Sequence, residues 1–280
     1  MKKGINFYTF ANGTPIQKGI SLAKAAGFEG IELTIDETGN FTIDAGDSYI
    51  KEIKKMLESN DIKCTSLCSW LPWKYPLTSN SEATRRKGID ILKKMIDTAA
   101  ALGADTVLVE PGYVGCDFFD FGEIVQYDVA IERAREGIRE LVPHAEACKI
   151  YLGIENVWNK MLLSPLEMRD FIDSIGSPYV GAYFDVANCM LYGYPEHWIR
   201  ILGSRIKKLH FKDYRRDPGG FRGFVELLSG DVNFPEVVKA LNEIGFDDYC
   251  IAEIMPTYTY FNEAVVFNTS CSMDYILGRR

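Results

Sequence analysis

Short apolar runs alternate along the whole chain with longer segments whose apolar residues recur at helical spacing. This alternation is the main structural signal in the sequence, because short apolar runs predict strands and helical periodicity predicts helices. The predicted strands are residues 4–8, 30–33, 63–67, 106–109, 151–155, 179–184, 206–210 and 249–254. The predicted helices are residues 16–26, 49–59, 82–102, 130–148, 166–175, 197–202, 235–244 and 264–277.

Strands that alternate with helices pair in parallel and are covered on both faces, which suits a closed barrel or an open doubly wound sheet. Eight strand–helix units favour the closed (β/α)8 TIM barrel. The Gly-x-Gly-x-x-Gly turn of the dinucleotide-binding open sheet does not follow the first predicted strand. We therefore predict the α/β class and a single barrel domain over residues 1–280, with long loops 111–122 and 215–229 at its catalytic face.

Composition and charge narrow the class of protein. Hydrophobic residues make up 47% of the chain, which is enough for a large core, and the net charge is −8. That charge argues against nucleic-acid binding, which depends on clustered Lys and Arg. The seven cysteines show no zinc-type spacing, and we find no targeting segment and no apolar stretch long enough to cross a membrane. We expect a cytoplasmic protein with reduced thiols, a small-molecule ligand and no nucleic-acid or membrane partner, and we leave homo-oligomer formation open.

Polar side chains terminate the last four predicted strands. The runs end as Gly-Ile-Glu155, Tyr-Phe-Asp185, Leu-His210 and Ile-Ala-Glu253. Because the carboxyl ends of barrel strands converge on one mouth, we expect these side chains to meet. Any one of them alone could equally be a solvated or salt-bridged rim residue. Four in succession favour a divalent cation site, since buried acids are costly unless they are paired or metal-bound.

The donor set indicates which ion to expect. Three carboxylates and one imidazole are mostly hard oxygen donors, which suit Mn²⁺, Co²⁺ or Mg²⁺ better than a closed structural zinc site. We expect one divalent ion, with Mn²⁺ first among the three. The other histidines, His144 and His197, fall on predicted helices and are not expected to be ligands.

At these strand ends the chain resembles the xylose-isomerase-like sugar isomerase and epimerase family, which includes D-tagatose, D-psicose and L-ribulose-5-phosphate 3-epimerases. The resemblance covers nearly the whole chain. Its motifs are Gly153-Ile154-Glu155-Asn156, Phe184-Asp185-Val186-Ala187-Asn188, Leu209-His210-Phe211-Lys212-Asp213, Gly230-Asp231-Val232-Asn233-Phe234 and Ala252-Glu253-Ile254. The resemblance implies that the four strand-end residues bind one metal, commonly Mn²⁺, and that Glu155 and Glu253 also act as acid and base.

This arrangement suits a metal-dependent isomerase. A ketose can chelate the ion through its carbonyl and a neighbouring hydroxyl, and the ion stabilises the enediolate formed when a proton leaves. Return of the proton to the opposite face inverts the carbon, whereas delivery to the adjacent carbon interconverts aldose and ketose. We predict a ketose or ketose-phosphate 3-epimerase, with an inosose-type dehydratase or an aldose–ketose isomerase as the alternatives.

Two rivals from other classes are disfavoured. A DNA-repair endonuclease of this fold needs a histidine-rich three-metal cluster and a basic surface, and this chain has three histidines and a net charge of −8. A sugar-binding module without catalytic activity does not need two rim glutamates beside a metal.

Substrate contacts are predicted at five further residues. The resemblance implies that Asn188 contacts substrate where free-sugar 3-epimerases carry a histidine, and that Arg216 matches their arginine six residues after the metal histidine. Solvated loop arginines are an equally good interpretation of Arg216 and its neighbour, so a free and a phosphorylated sugar both stay open. Aromatic residues near strand ends, among them Tyr8, Trp70 and Tyr113, are expected to form an apolar sugar wall, although about half of such residues are ordinary packing.

Overall fold

A closed ring of parallel strands forms the centre of the protein. The computed structural model describes residues 1–255 and 258–280. The ring strands are β1 Lys2–Asn6, β2 Gly30–Thr34, β3 Lys63–Cys68, β4 Thr106–Val109, β5 Tyr151–Glu155, β6 Val180–Asp185, β7 Ile206–Phe211 and β10 Tyr249–Ala252. Their order around the ring is β1-β10-β7-β6-β5-β4-β3-β2. A separate hairpin pairs β8 Asp213–Tyr214 with β9 Phe224–Val225.

Helices surround the ring and connect its strands. They are α1 Ile16–Ala25, α2 Asp47–Ser59, α3 Leu71–Lys74, α4 Glu82–Leu102, α5 Tyr127–Cys148, α6 Pro165–Ile175, α7 Pro195–Leu202, α8 Phe234–Glu243 and α9 Ala264–Ile276. Local sequence sets several of their ends: Ser81 and Ser164 accept backbone N–H groups at the starts of α4 and α6, and left-handed Gly103 and Gly176 follow their last turns. Within residues 1–255 and 258–280, no helix has the length and apolar character that a membrane crossing requires.

The predicted barrel is confirmed, and each predicted strand overlaps a ring strand with ends that differ by no more than two residues. The first strand ends earlier than predicted because the Asn6 side chain accepts the Tyr8 backbone N–H and starts a 3₁₀ turn over Phe7–Thr9. The hairpin and the short helix α3 were not predicted. Both lie in connections that follow ring strands, where apolar periodicity is weak.

Side chains fill the inside of the ring below its mouth. Leu108, Tyr183 and Ile251 pack in a small apolar cluster, separate from the main core between strands and helices. Toward the amino-terminal ends of the strands, buried Lys208 pairs with Asp105 at 2.9 Å and also with Asp248. The ring is therefore a packed core rather than a channel, and a ligand must bind at the carboxyl-terminal mouth.

Asp213 anchors the loop that follows β7. Its Oδ1 accepts the backbone N–H groups of Tyr214 at 2.8 Å and Val232 at 3.2 Å, and its Oδ2 accepts that of Gly230 at 2.9 Å. A Cβ atom on Gly230 would lie 2.2 Å from Asp213 Oδ1, so this close approach requires glycine. The buried carboxylate thus ties the two ends of the hairpin loop together beside the mouth of the barrel.

Candidate metal centre

Four strand ends bring the predicted ligands together. Glu155 and Asp185 are the last residues of β5 and β6, His210 lies near the end of β7, and Glu253 directly follows β10. All four are buried, and each offers a ligand atom within 4.8 Å of the others. The parallel register pairs Asp185 with His210 across β6 and β7, which explains their proximity.

The donor atoms of this cluster suit a cation. His210 Nδ1 lies 3.5 Å from Glu155 Oε1 and 3.3 Å from Glu253 Oε2. His210 Nδ1 and Asp185 Oδ2 are both buried, and neither has a hydrogen-bond partner within the described structure. Buried polar atoms nearly always form hydrogen bonds, so two buried potential ligand atoms without one, in a cluster of carboxylates, fit a divalent metal ion.

Backbone contacts fix the orientation of Asp185. Its Oδ1 accepts the N–H groups of Ala187 and Asn188, each at 2.8 Å. The side chain of Asn156 brackets the same residue, accepting the Asp185 N–H and donating to the Asp185 carbonyl, again at 2.8 Å. One carboxylate oxygen is therefore held by the backbone while the other turns toward the cluster. These two side-chain hydrogen bonds give the Asn156 position of the sequence motif a structural role.

Glu32 orients the imidazole from the opposite side. Its Oε2 lies 2.7 Å from His210 Nε2 and 2.5 Å from Asn6 Nδ2, and its Oε1 accepts the hydroxyl groups of Ser66 at 2.9 Å and Tyr183 at 2.7 Å. A carboxylate that holds one ring nitrogen of histidine leaves the other nitrogen to face a metal. Glu32 is fully buried, so this network belongs to the interior of the barrel.

Burial and the charge of Lys212 shift the pKa values of the residues in the cluster. Lys212 Nζ lies 2.6 Å from Glu253 Oε2 and 3.2 Å from Asp185 Oδ2. Burial raises the pKa of Glu155 to about 7. Burial also opposes ionisation of Glu253, but the charges of Lys212 and His210 outweigh it and lower the pKa of Glu253. Burial opposes protonation of His210, yet the carboxylates of Glu32 and Glu253 raise its pKa well above the usual value.

A pocket at the same mouth contains Glu155 and Glu253 in its wall. Most of the remaining wall is aromatic and comes from several loops. The aromatic lining residues are Tyr8, Trp70, Trp73, Phe118, Phe119, Trp158, Phe221 and Phe224. They pack on one another, with ring centroids 5.7 Å apart for Trp70 and Phe119 and 4.9 Å apart for Trp158 and Phe224. Aromatic faces of this kind are suited to the apolar faces of a sugar ring or chain.

The predicted substrate residues divide into two groups. Tyr8, Trp70 and Asn188 line the pocket, and Asn188 Nδ2 lies 3.5 Å from Glu155 Oε1. Tyr113 is buried behind the wall, where its ring stacks on Trp73 at 6.3 Å. Arg216 faces a neighbouring cavity, with its guanidinium 5.2 Å from the ring centre of Tyr194. Tyr113 and Arg216 are therefore not among the residues that line this pocket, and their predicted contacts with the sugar stay predictions.

Three buried polar residues near the mouth escaped the sequence reasoning: Glu32, Glu110 and Lys212. Glu110 follows the apolar run Val107-Leu108-Val109, which is the same signal that identified the four predicted ligands. Lys212 lies in one of the sequence motifs, two residues after His210, but was assigned no role there. Glu32 sits within an apolar run, and a strand that is buried on both faces gives no indication of where its polar residue points.

The chain is similar to a protein family and to named sugar epimerases. The family model described as xylose isomerase-like TIM barrel matches residues 20–267. The chain is 26% identical to the putative L-ribulose-5-phosphate 3-epimerase SgbU of Escherichia coli K12, over 80% of this chain and 78% of the relative. It is 22% identical to the L-ribulose-5-phosphate 3-epimerase UlaE of Salmonella heidelberg, over 94% and 89% of the two chains.

A solved structure shares the fold. The crystal structure of D-psicose 3-epimerase in the presence of D-fructose matches with a TM-score of 0.82 and 19% identity, covering 99% of this chain and all of the other.

Proposed function

Because the chain belongs to the xylose isomerase-like TIM barrel family, we propose that it is a metal-dependent epimerase that inverts a ketose at C3. The relatives described above are named as 3-epimerases of ketoses or ketose phosphates. The observation that carries the proposal is the buried cluster of Glu155, Asp185, His210 and Glu253 at the pocket, with two orphaned donor atoms among them.

These four residues would hold one divalent ion. Mn²⁺ is the ion that we propose, with Co²⁺ and Mg²⁺ as alternatives, because the donor set is dominated by oxygen and contains a single imidazole. When bound, such an ion supplies Lewis-acid polarisation of the substrate carbonyl. Glu32 would keep the His210 ring in the orientation that presents Nδ1 to the cluster.

Glu155 and Glu253 are the proton carriers in this proposal. They reach the mouth from β5 and from the end of β10, and β6 and β7 lie between these strands in the ring. The carboxylate on one side of a bound ketose would remove the C3 proton, and the protonated carboxyl group on the other side would deliver its own proton to the opposite face of C3, which inverts the carbon. Asn188, which lies beside Glu155 in the pocket wall, would bind a substrate hydroxyl.

The character of the pocket wall supports an unphosphorylated ketose as the substrate. Among the lining residues that the structure describes, Lys212 is the one cation, and it already pairs with Asp185 and Glu253. Arg216 faces another cavity. Phosphate sites are usually built from arginine, lysine or the amino terminus of a helix, whereas this wall offers aromatic faces. Two of the relatives are named for a ketose phosphate, so the activity on free ketoses should be compared directly with the activity on their phosphates.

Solvent-deuterium incorporation tests the proposal. Mn²⁺-loaded protein is incubated in D₂O with free pentuloses and hexuloses, their phosphates and inososes, and each sugar is examined by NMR. We expect deuterium at C3 of a free ketose, together with its C3 epimer. Exchange at C1 or C2 would instead identify an aldose–ketose isomerase, and loss of water from an inosose would identify a dehydratase. If none of these compounds incorporates deuterium, the proposed chemistry is contradicted.

A further inference from the structure

Glu110 is a buried carboxyl group that the proposed proton transfers do not use. It directly follows β4, is 7% exposed, and lines the pocket together with Glu155 and Glu253. Its Oε2 atom is buried and has no hydrogen-bond partner within the described structure. Because buried polar atoms are nearly always hydrogen-bonded, an orphaned carboxyl oxygen in a pocket wall indicates a group that binds a ligand.

The environment of Glu110 differs from that of the metal ligands. It is absent from the set of four residues whose donor atoms lie within 4.8 Å of one another. Burial, followed by the charge of Glu155, raises the pKa of Glu110 well above the usual value. A neutral carboxyl group can donate a hydrogen bond as well as accept one, which an ionised carboxylate cannot do.

We propose that Glu110 binds a hydroxyl group of the ketose and selects for substrates that carry this hydroxyl. The proposal rests on the function proposed above. A hydroxyl group carries one donor and two acceptor lone pairs, so it can donate to an ionised Glu110 and can accept from a neutral one. The neighbouring rings of Trp70, Trp73 and Phe119 present mainly apolar surface, so the hydroxyl that reaches Glu110 makes a specific polar contact there.

The expected selectivity follows from the cost of an unpaired buried group. A site built to hydrogen-bond a hydroxyl rejects an analogue that lacks it by up to about 10⁴-fold to 10⁵-fold, because its own polar group then stays unsatisfied. A monodeoxy ketose lacking the hydroxyl that contacts Glu110 should therefore be a far poorer substrate than the parent sugar. Monodeoxy analogues at positions that face the aromatic wall should lose much less.

The test combines two variants with a series of monodeoxy ketoses, and activity is followed by C3 deuterium incorporation with Mn²⁺-loaded protein. Glu110→Leu removes the hydrogen bond at similar volume, and Glu110→Gln retains a polar group. We expect kcat/KM for the parent ketose to fall by at least about 100-fold in Glu110→Leu and by less in Glu110→Gln. In Glu110→Leu, the parent and the sensitive monodeoxy sugar should become equally good substrates. Glu58→Leu, an exposed helical position, is the matched control and should change none of these values.

Several results separate the inference from the function on which it rests. No exchange with any ketose by the wild-type protein would defeat the proposed function. If the wild-type protein accepts every monodeoxy ketose within about 3-fold of its parent, the inference is wrong even if no variant folds. If Glu110→Leu still discriminates between the parent and the monodeoxy ketoses as the wild-type protein does, the inference is also wrong. It is wrong as well if weaker Mn²⁺ binding in calorimetry is the sole effect of the variant, since Glu110 would then belong to the metal centre.

Discussion

Replacing Asp213 by asparagine tests whether this carboxylate organises the mouth of the barrel. The change keeps the size of the side chain but substitutes an NH₂ group for one of the two oxygens. If the amide oxygen replaces Oδ1, it still accepts the N–H groups of Tyr214 and Val232. The NH₂ group then faces the Gly230 N–H, and that donor loses its acceptor.

The structure sets the size of the effect. A buried donor left without a partner costs about 1–3 kcal/mol, and the two surviving hydrogen bonds weaken by roughly 1 kcal/mol each because they no longer involve a charge. Part of this loss is recovered, since burial raises the pKa of Asp213 and a neutral amide is cheaper to bury than a carboxylate. We expect a net loss of about 1–3 kcal/mol, which corresponds to a fall of about 2–5 °C in Tm for a chain of this size.

Asp231→Asn is the matched control, because Asp231 lies in the same loop but is exposed and accepts a single backbone N–H, that of Arg216, at 2.9 Å. Thermal unfolding followed by circular dichroism should show a fall in Tm of less than about 2 °C for this variant. The KM for the sugar should rise in Asp213→Asn and not in the control, because the loop carries the pocket residues Phe221 and Phe224. Equal Tm values for the two variants would refute the reasoning.

Three further results are expected at the metal centre. Glu155→Gln and Glu253→Gln should each lower the rate of C3 exchange by at least about 100-fold, and near-normal exchange in either variant would place the acid–base pair elsewhere. Protein stripped by a chelator should be inactive and should regain exchange with Mn²⁺ or Co²⁺; full activity in excess chelator, with no metal found by elemental analysis, would contradict the assignment. Glu32→Leu should weaken Mn²⁺ binding by about 10-fold to 100-fold in calorimetry, and unchanged affinity would show that Glu32 does not orient His210.

The family and the architecture could be predicted from the sequence because both depend on local patterns, the alternation of strands and helices and the motifs at the strand ends. The family match over residues 20–267 and the closed ring confirm these two predictions. The predicted ligands came together because they terminate apolar strands, and a barrel directs all its strand ends to one mouth. That rule needs no knowledge of loops. The same rule would have found Glu110, had it been applied to the fourth strand as well as to the last four.

Loop positions could not be predicted in the same way. The direction of Arg216 depends on contacts such as that between Asp213 and Gly230, which are 17 residues apart in the chain. Tyr113 follows Gly112, whose φ of 112° turns the backbone. The carbonyl oxygen of Tyr113 accepts a hydrogen bond from the hydroxyl group of Thr78, in another loop, at 2.7 Å. Counting residues from His210 or from a strand end does not capture contacts of this kind.

The aromatic wall and the metal cluster are carried by different parts of the chain. The cluster stands on the ends of strands whose positions are fixed by the ring, whereas Phe118 and Phe119 belong to the connection between β4 and α5. Rings in that connection rest on Trp70 and Trp73, which come from another connection, rather than on the strands. Mutation in these connections can therefore diversify which sugars are accepted while the reaction itself is preserved. For enzyme engineering, libraries confined to the largely exposed stretch 116–122 would change the rings that line the pocket while the strand ends and buried Tyr113 stay unaltered.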